Sequence, residues 1–254
     1  HCTHISLLRA PVDAVTAAAV LNALPPGDAE ISRLPMLQTL DLSGCRHLPR
    51  GLLSRTFEVL PQLICVRALD TLVVDRMAMP AMGSHLSRLE TLFIDASSDL
   101  TEEGFDGLVS QCRALRRLYV ELPAGIAYTN RVTNQLVMML AVHCPSLLQL
   151  DLSGQARLGD EGLSALAAGC LQLQGLSLFN CRRITLASVR DILHYCQDLV
   201  YLVLEGTGVC QETWLAEQVH QRYLLKRKPS NQSSSHSTWC FHGDEDLTWL
   251  RAVV

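Results

Sequence analysis

Aromatic side chains are scarce, at 5% of 254 residues with only three Trp, so any core must be built from aliphatic residues. Neither sign of charge dominates. Twenty-one Lys and Arg face 25 Asp and Glu, for a formal net charge of -4. That balance argues against a general nucleic-acid binder, which needs a basic surface. No apolar run approaches the ~18–20 residues of a membrane span; Leu136 to Val142, among the longest, is far too short. The ten cysteines contain no C-x-x-C pair, so the usual zinc and thioredoxin spacings are missing. Also missing are a glycine-rich phosphate loop, a nucleophile elbow and an H-E-x-x-H helix. We therefore expect no enzyme, no cofactor and no metal. His1-Cys2-Thr3-His4 and Cys240-Phe241-His242 could supply four ligands, but they lie at opposite ends of the chain. No secretory-type leader opens the chain, and because it starts at His1 without a Met it is expected to be a fragment or an engineered piece.

What is present is an apolar, repetitive chain. The hydrophobic fraction of 48% excludes a wholly disordered polypeptide. The pattern L-x-x-L-x-L recurs seven times, at Leu37-Leu40-Leu42, Leu69-Leu72-Val74, Leu89-Leu92-Ile94, Leu115-Leu118-Val120, Leu147-Leu150-Leu152, Leu173-Leu176-Leu178 and Leu199-Leu202-Leu204. The first leucines are separated by 32, 20, 26, 32, 26 and 26 residues, and Ile5-Ser6-Leu7 reads as a truncated eighth copy. Cys112, Cys144, Cys170 and Cys196 each stand three residues before a copy's first leucine. A phase-locked thiol marks a repeated packing slot, since free Cys is among the most buried residue types. A reducing compartment is the expectation.

Between the strand patterns lie helical ones. In Leu158 to Cys170, Leu163, Leu166 and Ala167 share a helical face, with Asp160 as the expected N-cap and Gly169 as the stop. Ile184 to Leu193, capped by Thr185, and Leu100 to Val109 repeat the theme. His143 and His194 read as helix-end residues rather than catalysts. A strand–turn–helix unit cannot bury its apolar side alone, so stacked units are expected to share one core.

L-D-L-S-G-C at 40–45, C-P-S-L-L-Q-L-D-L-S-G at 144–154 and C-L-Q-L-Q-G-L-S-L-F-N-C-R-R-I-T at 170–185 resemble the cysteine-containing class of leucine-rich repeats. The resemblance covers about 35–215, with a poor fit over 64–88 and 121–135, where insertions or distorted turns are expected. It implies an α/β solenoid with parallel strands on the concave face and helices on the convex face. It also implies protein recognition, because this class is best known from the substrate-reading half of F-box ubiquitin-ligase receptors. The alternative is a non-catalytic scaffold or subunit without a ligase link. Leu48-Pro49 to Leu60-Pro61 looks similar to an F-box, but it follows a strand pattern directly and reads as the helix of a repeat. A Skp-type adaptor is implied only if an F-box precedes residue 1.

The expected organisation is a truncated first repeat or cap over 1–34, containing a helix at 8–24. The repeat domain follows over 35–215. A cap helix, a serine-rich linker and a tail with Trp239, Phe241 and Trp249 occupy 216–254. A cytoplasmic location is expected, and Lys226-Arg227-Lys228 is the feature that would suit nuclear import.

If the leucines point inward, alternate strand positions face the concave side. Those 21 positions carry six acids and one base. The candidate partner-binding residues are Asp41, Asp75, Phe93, Asp95, Arg117, Tyr119, Glu121, Asp151, Phe179, Tyr201 and Glu205. Acids beside aromatics predict a protein partner presenting a basic segment. No nucleic acid or membrane partner is expected.

Overall fold

A computed structural model describes residues 4–6, 37–44, 52–69, 78–96, 100–122 and 131–209. The helix expected at 8–24, the cap helix, linker and tail beyond 209, the basic run and Asp75 lie outside the described residues.

Among the described residues, eight parallel strands form one sheet in sequence order. They are β1 (His4–Ser6), β2 (Thr39–Asp41), β3 (Cys65–Ala68), β4 (Thr91–Asp95), β5 (Arg117–Glu121), β6 (Gln149–Asp151), β7 (Gly175–Ser177) and β8 (Tyr201–Val203). Six described helices alternate with them: α1 (Leu52–Val59), α2 (Ala78–His85), α3 (Glu102–Val109), α4 (Asn134–His143), α5 (Asp160–Gly169) and α6 (Leu186–Tyr195). Each helix packs on the next, and each strand pairs only with its chain neighbours. Parallel strands need a crossover, and each helix supplies one. The result is a leucine-rich-repeat solenoid, with the core between the strand layer and the helix layer. The truncated copy at Ile5 is β1, whose Ile5 pairs in register with Leu40.

One repeat falls elsewhere than the leucine pattern predicts. The strand is Cys65–Ala68, not the segment around Leu72, and its inward residues are Leu63, Val66 and Ala68. Register explains the choice. Val66 lies opposite Leu40 on one side and Leu92 on the other. The first positions then run Leu37, Leu63, Leu89 and Leu115 at a constant 26 residues. A parallel ladder rewards equal path length per unit. Leu69-x-x-Leu72-x-Val74 is richer in large apolar residues but sits six residues out of phase.

The remaining irregular interval, 32 residues from Leu115 to Leu147, is a true insertion between β5 and α4. Gln155, fully buried, anchors its return. Its Oε1 accepts from Val132 N at 3.2 Å, and its Nε2 donates to the Ser153 carbonyl.

The inward leucines are buried throughout, including Leu92, Leu118, Leu150, Leu176 and Leu202. So are Cys112, Cys144, Cys170 and Cys196, and burial pushes the first three thiols up to about 12. At that value they are protonated, apolar fillers rather than nucleophiles. None of the described cysteines is disulfide-bonded. Cys112 Sγ reaches the Leu86 carbonyl at 3.4 Å, and Cys170 Sγ reaches that of Cys144 at 3.4 Å. One unit earlier the same slot holds Leu86, and before it Leu60, each three residues ahead of a first leucine.

Within the F-box-like stretch Leu52–Val59 is α1, with Leu53 and Phe57 in the core, as its place in the repeat requires. Thr101, Thr133 and Thr185 cap α3, α4 and α6 through their side-chain oxygens. Asp160 does not cap α5. It is the first helical residue, and the cap is Gly159. The Asp160 carboxylate instead crosses to the next unit, accepting from Thr185 N at 2.8 Å, from Thr185 Oγ1 and from Ser188 Oγ. Burial opposes its charge, but these hydrogen bonds outweigh it and hold the carboxyl below the ordinary aspartate value. Gly169 closes α5 as expected. An added Cβ there would stand 2.3 Å from the Ala141 carbonyl oxygen, so the α4–α5 approach requires glycine.

Candidate protein-recognition face

Parallel in-register pairing lines up the concave residues in rungs that cross the strands. The middle rung runs Asp41, Arg67, Phe93, Tyr119, Asp151, Ser177 and Val203. Below it lie Thr39, Cys65, Thr91, Arg117, Gln149, Gly175 and Tyr201. Above it Asp95 pairs with Glu121, and two residues past Asp151, Ser177 and Val203 the rung continues through Ser153, Phe179 and Glu205.

The middle rung is internally partnered. Arg67 Nε lies 3.6 Å from Asp41 Oδ2, and its guanidinium sits 4.1 Å above the Phe93 ring. Phe93 stacks on Tyr119 with ring centroids 4.2 Å apart and planes 14° from parallel. The Tyr119 hydroxyl donates to Gln149 Oε1. Each contact is favourable: cation–π and aromatic stacking contribute about 0.5–1.5 kcal/mol apiece. Together they make a rigid inlay of ion pair and rings across β2–β6.

Arg67 was not visible in the leucine phasing, because that phasing placed Thr71, Val73 and Asp75 on this strand. The in-register 26-residue spacing was the signal that could have found it. The charge count shifts accordingly. Asp41, Asp95, Glu121, Asp151 and Glu205 face Arg67 and Arg117, a smaller acidic excess than six to one. The excess lies from β4 onward, since Arg67 offsets Asp41.

Two of the acids also have local work. Asp41 Oδ1 accepts from Ser43 N at 3.0 Å, and Asp151 Oδ1 accepts from Ser153 N at 2.9 Å. That is an Asx-type turn, and it explains why D-L-S occurs at the end of both strands. Burial pushes the Asp151 carboxyl up, although hydrogen bonds from Ser153 and Ser177 oppose the shift. Glu121 is half-buried. Desolvation, then the charges of Asp151 and Asp95, push its carboxyl up to about 7, and Arg67 offsets part of this.

The aromatic candidates separate by exposure. Phe93 is 7% exposed, Tyr119 3% and Tyr201 6%, whereas Phe179 is 38% exposed. Side chains on a concave sheet converge, so neighbouring strands cover the first three. Phe179 escapes because it lies past the end of β7, just before the turn at Asn180. Arg117 is also exposed, and Asp95, Glu121 and Glu205 are half-buried.

Residues 143–167, which span the end of α4, β6 and most of α5, match the Leucine Rich repeat family model. The match falls where the 26-residue spacing, the Asx turn and the buried cysteines coincide. Repeats of this kind are typically non-catalytic interaction modules, and they support a protein–protein interaction role. Among the described residues no three His, Cys, Asp or Glu side chains are grouped as metal ligands would be. No described helix is long and apolar enough to cross a membrane.

Proposed function

We propose that the protein is a recognition module whose concave face reads a protein partner, and that it does so as the substrate-reading part of a cullin-type ubiquitin ligase. The observation carrying the first half is the exposed Phe179, with Glu205 one strand away and Glu121 two strands away, on a sheet stiffened by the Arg67–Phe93–Tyr119 stack. Rigid presentation of an aromatic residue lowers the entropic cost of binding. The second half rests on the resemblance of the cysteine-containing repeats, which is an argument from kinship, because fold does not fix function.

The test is affinity purification of the protein from its native source, followed by mass spectrometry. Recovery of a Skp-type adaptor and a cullin supports the ligase reading, and a further partner lost on Phe179→Ala is then the substrate. Recovery of a fixed stoichiometric assembly without adaptor or cullin overturns the ligase reading and makes the protein a structural subunit.

A further inference from the structure

The partner's chemistry can be read more closely from the upper rung, an inference that rests on the concave-face reading above. In order from β4 to β8 this rung presents Asp95, Glu121, Ser153, Phe179 and Glu205. It follows the C-terminal ends of the strands. The middle rung is taken up by its own contacts between Asp41 and Gln149. No hydrogen bond or ion pair from another described residue reaches the Glu121 carboxylate or the Glu205 carboxylate. The nearby cation, Arg67, is engaged by Asp41 and Phe93. Desolvation, then the charges of Asp151 and Asp95, raise the Glu121 carboxyl, and Arg67 offsets this only in part. A cation placed there would relieve that repulsion, and no apolar or anionic group would.

Spacing adds the second element. Adjacent strands lie about 4.8 Å apart, so Glu121 on β5 and Phe179 beyond β7 are separated by roughly 9.6 Å across the sheet. A chain extended as polyproline II advances about 3.1 Å per residue with three residues per turn, so positions three apart share one face and lie about 9.3 Å apart. We propose that the upper rung binds a segment of another protein extended as polyproline II across β5–β7, with a Lys or Arg against Glu121 and an apolar side chain three positions away, on the same face, against Phe179. Charge complementarity selects the first residue and the exposed ring selects the second. Glu205, one strand past Phe179, favours a further basic residue on the far side of the apolar one.

The probe is a degenerate peptide library with Lys fixed at its centre, compared with an equal library with Glu fixed there, captured on the full chain. The expected result is that the Lys library is retained and enriched in apolar residues three positions from the Lys. Retention should weaken as ionic strength rises. Phe179→Ala should erase the apolar preference while keeping the preference for Lys. Glu121→Gln should lower binding of the selected peptide about tenfold while the thermal melt shows a folded protein. Equal retention of the two libraries, no retention of either, or preferences unchanged in both variants overturns the proposal. The two failures are separable. If the native partner still copurifies with the Phe179→Ala, Glu121→Gln double variant, the concave-face reading falls. If that partner is lost but the library shows no cation and apolar spacing, only the present inference falls.

Discussion

The two middle strands and the three that follow them solve the same problem differently. β4 and β5 run five residues each, while β6, β7 and β8 run three. After each short strand comes a residue in the left-handed region: Gly154 at φ 72°, Asn180 at 59° and Gly206 at 72°. These positions are 26 residues apart, and Gly44, at φ 80°, plays the part after β2. At the matching positions after β4 and β5 stand Ala96 and Leu122. A side chain there disfavours the left-handed turn. The backbone therefore stays extended, and Asp95 and Glu121 are held in the ladder rather than turned away. The loss of a turn glycine in two units is thus what sets two carboxylates side by side on the concave face.

The two regions also differ in how their units are tied. From α5 to α6 the helix starts are linked by Asp160, and from α4 to α5 by Asn134, whose Oδ1 accepts from Gly159 N at 2.8 Å. Toward the N-terminus the repeat slot holds Leu60 and Leu86, and the core gains Met79 and Met82. There the units are tied outside the helix starts, as where the Arg88 guanidinium donates to Gln62 Oε1 at 2.6 Å.

Substitutions can break this comparison, beginning with the largest effect. Leu150→Asp places a charge in the core where β6 meets β5, and should destabilise by about 4–5 kcal/mol in chemical denaturation. A variant that melts like the parent would mean that Leu150 faces solvent. Gly154→Ala combines a left-handed backbone with a Cβ 2.4 Å from Leu122 Cδ1. A loss of about 2–3 kcal/mol is expected, less if Leu122 changes rotamer. Asp160→Ala removes the tie between α5 and α6 and should cost about 1–2 kcal/mol at neutral pH. Because the folded carboxyl lies below its ordinary value of 3.8, that stability is present above this value and is lost as pH falls through the folded value. Parent and variant should therefore converge at strongly acidic pH.

Glu121→Gln should act in the opposite direction. The folded carboxyl titrates at about 7 against an ordinary 4.5, so the native state holds a proton that the unfolded chain has already lost between those values. Its contribution is fully present below about 4.5 and declines as pH rises through about 7. The variant should gain on the order of 1 kcal/mol at pH above 7, after allowance for solvent screening, and nothing near pH 4. Thermal melts across that range check both limits. The smallest effect belongs to Ala96→Gly, which restores a turn glycine after β4. We expect a loss of about 0.5–1 kcal/mol, from backbone freedom in the unfolded chain. A gain in stability would mean that β4 is strained by the lack of its turn.

Much of the architecture is legible in the residues. Leu-x-x-Leu-x-Leu places an inward side chain at every second strand position, and seven of the eight strands fall where that pattern or its truncated copy predicts. Thr185 was readable as a cap because a hydroxyl at the start of a helix satisfies a free backbone N–H. The exception, β3, was hidden because two overlapping segments fit the pattern, and local hydrophobicity favoured the wrong one. Phe179 and Glu121 were readable as concave residues from alternation alone. Their difference from Phe93 and Tyr119 was not, since exposure depends on what the adjacent strands contribute.

By itself the sequence determined the repeat, its 26-residue period and the identity of its buried faces, because these follow from periodicity within one unit. Tertiary structure decided between the two phases open to β3, and it alone decided the contacts of Arg67 with Asp41 and Phe93, the link from Asp160 to Thr185 and the burial of all but one concave aromatic. Each of these is a contact between units 24 or more residues apart in the chain, and no local pattern encodes the register that brings them together.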